Sequence, residues 1–297
     1  MNATTLEDAT QRVWQEFPFE GYISPARREA VYPVISSTVR RLLPNGGRIL
    51  DVGAGGCDTA TVLSLMGYDT AAFDDFQDTW HLRNDNWEHI IRFASERGVD
   101  ARRITDHTVP LPWEAESFDI VMAHDVIEHL HDSPKGMLEA CWKLIKPGGY
   151  LFLTAPNAGN VRKRAGVLLG QSNMADFGYF YWCGTPWRGH VREYVRSDFE
   201  RMGRYLGLAP VELRDVDTIM ARRFKQPAKA VYATLTTLFS GLRSSWLYVG
   251  RKTPGSHPMT DPPKEPRIES WLKAMSRDPK PGVAAGTDDQ TREALHA

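Results

Sequence analysis

Cysteine is scarce in this 297-residue sequence: Cys57, Cys141 and Cys183 lie far apart, are odd in number and form no CxxC pair. That pattern excludes a disulfide framework and a thiolate zinc site and predicts a reducing, cytoplasmic location. An excess of one charge is also missing, since 36 Lys and Arg nearly cancel 37 Asp and Glu. No global field is left to hold bulk nucleic acid or an acidic surface, although a local basic patch is not excluded. The longest apolar stretch, residues 228–242, contains Lys229 and several Thr and falls short of a bilayer span. Near the start, Glu7, Asp8, Arg12 and Glu16 interrupt any signal-peptide core, and there is no internal repeat. What is present is 42% apolar content, ample for a buried core in one large domain or two small ones.

Residues 1–47 read as an N-terminal helical segment. Ser24-Pro25 resembles an N-cap with Pro at the first helical position, followed by Val31, Val34, Ile35, Val39, Leu42 and Leu43 near helical period, with Pro33 as an interruption. A turn at 44–47 leads into a short buried strand at 48–52, a Gly-rich turn at 53–57 and a helix to about residue 66. A second strand at 69–73 ends on Asp74-Asp75, a helix is expected over 78–98, and a third strand near 103–105. FDIVMA at 118–123 is a continuous apolar run suited to a central parallel strand. A helix at 133–144, a strand at 150–154, a helix from Ser197-Asp198 to Leu206, a strand at 211–216, a helix near 227–242 and a strand at 245–249 complete the pattern. Such alternation predicts an α/β fold with a Rossmann-like, doubly wound, seven-stranded and mostly parallel sheet over 48–252. Residues 156–196 break the alternation as a lid or substrate insertion rich in Phe177, Tyr179, Phe180, Tyr181, Trp182 and Trp187. Seven prolines mark 253–297 as an extended tail, in which Ile268, Trp271, Leu272 and Met275 form one short amphipathic helix.

In the segment ILDVGAGGC, Gly53 and Gly55 follow a strand directly, where they let the backbone turn tightly and approach a ligand while the helix N-terminus offers free amides. The same glycines could serve as a turn and nothing more. Asp74, about twenty residues on at the end of the second strand, is placed to accept both hydroxyls of an adenosine ribose. A dinucleotide fingerprint would require Gly at position 58, where Asp58 stands, and a buried carboxylate is unfavourable beside a pyrophosphate.

These residues, with LPWEAESFDIVMAHDVIEHL at 111–130 and LIKPGGYLFLTAPN at 144–157, resemble the class I S-adenosylmethionine-dependent methyltransferases over residues 48 to about 217. The resemblance implies S-adenosylmethionine as cofactor. It places Asp51, Gly53, Ala54 and Gly55 against the methionine and ribose part, Asp74 at the ribose diol, and Asp106 with His107 at the adenine end, with His124 among the cofactor contacts.

After FDIVMA come His124, Asp125, Val126, Ile127, Glu128 and His129. One helical turn would bring Asp125, Glu128 and His129 onto neighbouring faces, able to hold a divalent cation or simply to seal the pocket. His190 in RGHVREY is a fourth candidate. This order resembles the metal-dependent O-methyltransferase branch, which includes enzymes of ubiquinone biosynthesis and of terminal ribose methylation in small RNAs. The resemblance implies Asp125, Glu128, His129 and His190 as metal ligands, with Asp125 where Glu is usual. Mg²⁺ suits the carboxylates and two histidines also permit Zn²⁺ or Mn²⁺. Without a metal, His129 or His190 is the expected catalytic base.

The aromatic group at 177–187 either stacks on the acceptor or packs the insertion onto the body. Arg162, Lys163 and Arg164 could meet an acceptor phosphate or carboxylate, or form a solvated face. His81, His89 and His131 have no evident partners in the sequence and read as surface or packing residues. The expected activity is O-methylation of a sugar or oligosaccharide hydroxyl. The alternatives are a phenolic quinone precursor or small natural product, terminal ribose of RNA, or a catalytically silent interaction protein. The expected partner is a small-molecule or oligosaccharide acceptor, without bulk nucleic acid or a membrane span, and self-association is open.

Overall fold

The computed structural model describes residues 4–105, 110–184, 186–218 and 225–275. The chain divides into two compact units, Met1–Pro258 and Met259–Ala297. In the second unit the described secondary structure is one helix, Pro266–Met275, matching the short amphipathic period.

The first unit is organised by a seven-stranded sheet. Its strands are β1 (Arg48–Val52), β2 (Asp69–Asp74), β3 (Val99–Arg103), β4 (Phe118–His124), β5 (Ile145–Pro156), β6 (Leu208–Val216) and β7 (Ser245–Lys252). Their order is β3-β2-β1-β4-β5-β7-β6, parallel from β3 to β5, with β7 antiparallel to both of its neighbours. The order reverses between β1 and β4, so the C-terminal ends of those two strands open a crevice at Val52 and His124.

Alternation along the central strands divides the core between two faces. Leu50, Val52, Val121, Leu151 and Leu153 pack with α6 (Lys135–Leu144) and α9 (Arg196–Tyr205). Ile49, Ile120, Met122 and Phe152 face the other way, onto Ile35 and Val39 of α2 (Tyr32–Leu42) and Leu63 of α3 (Asp58–Leu65). The N-terminal segment belongs to this unit: Ala9 and Val13 of α1 (Leu6–Glu16) share a core with Ala60 of α3 and with Ile90 and Phe93 of α5 (Asn86–Ser95). The side chain of Thr5 starts α1 by accepting the Asp8 amide at 3.1 Å. Pro33 is accommodated at the start of α2, directly after a π-helical turn over Arg27–Val31.

Three local expectations are corrected. The third strand lies at Val99–Arg103, ahead of the predicted 103–105; as an edge strand carrying Asp100, Arg102 and Arg103 it has no apolar run to mark it. The helix expected over 78–98 is divided into α4 (Thr79–Leu82) and α5, because Asn84 and Asp85 both take left-handed conformations. The helical turn expected from Asp125 to His129 is a 3₁₀ turn over Ile127–His129, and Asp125 itself sits at φ +52°.

Candidate active site

The crevice is built on two turns that meet. Gly53 follows β1 at φ +65°, and a Cβ there would lie 2.7 Å from a Val126 methyl in the turn after β4. Only glycine allows both that backbone conformation and that approach. Gly56 is covered from the other side, where a Cβ would lie 2.7 Å from the Tyr22 ring. Asp74 accepts the Gly55 amide at 2.8 Å and the Phe76 amide at 2.7 Å. Burial raises its pKa, and these two amides oppose the shift. Asp51 is buried as well, and desolvation, then Asp58, push its carboxyl up to about 8. Glycine turn and tethered carboxylate together fit the S-adenosylmethionine assignment, while the first turn of α3 is partly taken up by Asp51, which accepts the Ala60 amide. The adenine-end candidates Asp106 and His107 lie outside the described residues.

Sequence reasoning missed the clamp behind this turn. Arg27 donates to the two carboxylate oxygens of Asp58 at 2.6 and 3.1 Å and to Thr59 at 3.0 Å, while the Tyr32 hydroxyl donates to Asp58. Asp58 is the first residue of α3 and is 1% exposed, so its charge requires such a partner. The available signal was Asp58 itself, a carboxylate where a buried turn was expected. Tyr22 was also missed: its hydroxyl meets His81 Nε2 at 3.1 Å. His81 is therefore a buried packing residue, edge-on to Phe76 and Trp80, with a hydrogen-bond partner that the sequence did not reveal. His131 and His89 also have partners, the first in Trp187 O at 2.7 Å and the second edge-on to the Phe19 ring.

On the other side of the crevice, His124 ends β4 with Nδ1 against Thr154 Oγ1, and Thr154 donates to Asp125 Oδ1 at 3.2 Å. Glu128 is fully buried, yet neither carboxylate oxygen has a hydrogen-bond partner among the described residues. Burial, then the charge of Asp125, push its carboxyl up to about 9.

The backbone carbonyl of Glu128 accepts the Val191 and Arg192 amides at 2.7 and 3.2 Å, and the Tyr194 hydroxyl donates to Ile127 O at 3.1 Å. This docking carries His190 to His129, with ring centroids 4.9 Å apart and planes edge to face. His129 Nδ1 donates to Arg188 O at 2.9 Å, and His190 Nδ1 bonds Glu193 Oε1 at 2.9 Å. His129 Nε2 stands 3.9 Å from Glu128 Oε1. Glu193, a further residue that sequence reasoning missed, also binds Lys163. Burial would raise its pKa, but His190 and Lys163 outweigh that and hold it low. Burial, then the neighbouring His190, lower the pKa of His129.

Donor atoms of Glu128, His129 and His190 all lie within 4.8 Å of one another. Asp125 is not part of this group. Its left-handed backbone turns it towards Thr154 and His124, so one of the four expected ligands stands apart from the other three.

The ring-rich stretch does not pack the insertion onto the body. Phe177, Tyr179, Tyr181 and Trp182 of α8 (Phe177–Trp182) are exposed, and Phe180 reaches Trp187 edge to face at 5.3 Å.

The sheet order, the glycine turn and the carboxylate at the end of β2 define a class I S-adenosylmethionine-dependent methyltransferase. The chain belongs to the methyltransferase-domain family, which it matches over residues 27–213. Among similar proteins, the ubiquinone biosynthesis O-methyltransferase of Xanthomonas axonopodis pv. citri is 30% identical over 190 residues, which is 64% of this chain and 72% of that one. The protein of the same description from Vibrio atlanticus is 27% identical over 155 residues, 51% of this chain and 60% of that one. Among solved structures, the [4+2]-cyclase SpnF shares the fold with a TM-score of 0.51 and 17% identity, over 85% of this chain and 98% of that one. Among the described residues no helix is long and apolar enough to cross a membrane.

Proposed function

We propose that this enzyme transfers a methyl group from S-adenosylmethionine to a hydroxyl oxygen of an aromatic, quinone-precursor-type acceptor. The observation that carries the reading is the group of Glu128, His129 and His190 beside the cofactor turn, with one fully buried carboxylate lacking a hydrogen bond among the described residues. The names of the relatives support oxygen as the methylated atom and favour an aromatic hydroxyl over the sugar hydroxyl expected from the sequence.

The three residues fit a divalent cation. A buried carboxylate without a hydrogen bond is costly until a positive charge meets it. Both imidazoles have Nδ1 engaged by oxygen, the arrangement that orients Nε2 towards a metal. With Asp125 standing apart, two histidines and one carboxylate suit Zn²⁺ or Mn²⁺ better than the Mg²⁺ favoured by a two-carboxylate set. Such an ion would supply Lewis-acid stabilisation of the acceptor oxygen in its deprotonated form. The protein's own contribution is positional: Asp74 and the glycine turn hold the cofactor, and Glu193 and Arg188 O orient the two rings. Where no ion is bound, the lowered pKa keeps His129 neutral near pH 7, and its Nε2 would then be free to accept the hydroxyl proton instead.

The test is calorimetric titration of Zn²⁺, Mn²⁺ and Mg²⁺ into enzyme saturated with S-adenosylhomocysteine, beside methyl transfer to catechols and to sugars. Binding of Zn²⁺ or Mn²⁺ that Glu128→Gln and His190→Ala each weaken at least about tenfold is expected, with transfer to catechols. Failure of the wild type to bind any of the three ions removes the metal from the reading and leaves His129 as base. Transfer to sugars alone overturns the acceptor class.

A further inference from the structure

We propose that Arg188 is a positioning residue that couples the two halves of the site, so that cofactor binding beside Asp74 steadies the segment that carries His190 and orients His129. Its two ends lie in different halves. The backbone carbonyl accepts His129 Nδ1 at 2.9 Å, within a segment docked on the turn after β4 by the Val191 and Arg192 amides on Glu128 O. The guanidinium reaches back to the loop after β2: Nη2 donates to Gln77 O at 3.4 Å, Nη1 lies 3.8 Å from Asp75 Oδ2 and Nε lies 3.7 Å from Asp78 Oδ1. Among the described residues these are the polar contacts between 186–194 and that loop. On its other side the segment is anchored by α7 (Val161–Leu168), whose Lys163 meets Glu193.

The loop has the charge to meet that cation. Asp74-Asp75-Phe76-Gln77-Asp78 contains three acids and no base. Its first residues are fixed in the cofactor half: Asp74 accepts the Gly55 and Phe76 amides, and Phe76 is fully buried at φ +49°. A bulky side chain holds such a backbone only where its surroundings impose it. Asp75 and Asp78 are the half-exposed acids that follow, and they face Arg188. A formed Arg–carboxylate bond measures about 2.7–2.9 Å, so each pair stands roughly 1 Å short of closure and can tighten when the loop is ordered. A ribose on Asp74 orders that loop at its root. Arg188 then passes the ordering to the His129 ring through its own carbonyl, a contiguous path one residue wide. Linkage makes the effect mutual: whatever the two rings hold raises cofactor affinity by the factor that the cofactor raises theirs. The proposal rests on the cofactor assignment alone and holds whatever the acceptor is, with or without an ion.

The test is amide hydrogen exchange of the full chain, read by NMR at Val191 and Arg192 with and without S-adenosylhomocysteine. In the wild type the ligand is expected to slow exchange of these amides about three- to tenfold, the size that exposed ion pairs can transmit, and less at about 0.5 M salt. Arg188→Ala is expected to abolish the slowing while unfolding near the wild-type midpoint, because the side chain is 44% exposed. Arg188→Lys keeps the charge without the planar fork and is expected to restore part of the slowing. Should Arg188→Ala fail to fold, Asp75→Asn with Asp78→Asn removes the other side of the contact, leaves the carbonyl on His129, and is expected to lose the slowing in the same way. Three results would each overturn the proposal: wild-type amides that exchange alike with and without ligand, a folded Arg188→Ala that keeps the slowing, or an Arg188→Ala in which exchange rises equally in both states. The last would show that the side chain serves stability alone.

Discussion

The two turns that meet at the switch point treat buried acids in opposite ways. After β1, Asp58 is closed by Arg27 and Tyr32, and Asp74 by the amides of Gly55 and Phe76. After β4, Glu128 is buried to the same degree as Asp58, but its carboxylate oxygens have no hydrogen-bond partner among the described residues, and His129 Nε2 stands 3.9 Å from Oε1. A paired buried charge is complete within the folded chain, whereas an unpaired one is destabilising unless it is protonated or meets a cation. Apart from Asp51, whose carboxyl is also pushed up by burial and Asp58, the cofactor half is thus preorganised by the protein alone. The acceptor half holds a carboxylate whose charged state requires something brought to it.

Breaking the clamp tests this comparison most severely. Arg27→Ala leaves the Asp58 carboxylate with Tyr32 as its remaining side-chain donor, and loss of one partner from a buried pair costs about 3–5 kcal/mol. Urea unfolding is expected to show that loss, with most of it recovered in the double variant Arg27→Met, Asp58→Leu. If Arg27→Ala unfolds at the wild-type midpoint, the closed character of the cofactor half is wrong.

Asp74→Asn is expected to act on affinity more than on stability. The amide side chain keeps one acceptor for Gly55 or Phe76 but loses the charge that would meet the ribose hydroxyls, a difference of about 1.5–3 kcal/mol. That corresponds to roughly ten- to hundredfold weaker S-adenosylhomocysteine binding by calorimetry. Affinity within about twofold of wild type would move the ribose contact to another residue.

Much of the cofactor half was legible because it is written in local pattern. FDIVMA and the ILDV run mark two central strands, and Gly53, Gly55 and Asp74 mark the turn and the strand end by spacing alone. The clamp was not legible, since Arg27 and Asp58 are 31 residues apart and meet only through the packing of the N-terminal segment on α3. The chemistry-bearing residue types of the acceptor half were readable, but their grouping was not. A left-handed Asp125 has no sequence signature comparable to glycine, and that one dihedral removes it from the face of Glu128. The third strand was displaced for a different reason: its charges alternate with too few apolar residues to show a period. The rings of 177–182 were visible as a group, yet whether they point inward or outward depends on contacts that composition does not encode.

The effect that bears most directly on the contrast between the two turns, small at any one pH step but cumulative, is the pH dependence caused by Glu128 in protein freed of divalent ions by a chelator. Folded, the carboxyl keeps its proton up to about pH 9 because burial and Asp125 disfavour the anion; unfolded, it ionises near its ordinary value of 4.5. Between those limits the folded state binds more protons than the unfolded one, so this group makes stability fall as pH rises, and its contribution is fully retained only below the lower limit. Glu128→Gln removes that proton uptake. Wild type and variant are therefore expected to share the same contribution near pH 4.5 and to diverge above it, the wild type losing up to about 1.4 kcal/mol per pH unit relative to the variant. Unfolding midpoints measured from pH 5 to about 8 resolve this slope. Parallel profiles would mean that Glu128 is already ionised in the folded chain and has a partner, which would erase the contrast between the two turns. Divergent profiles that become parallel when Zn²⁺ is added would identify the cation as the missing partner, because a bound ion displaces the proton and reverses the sign of the group's contribution.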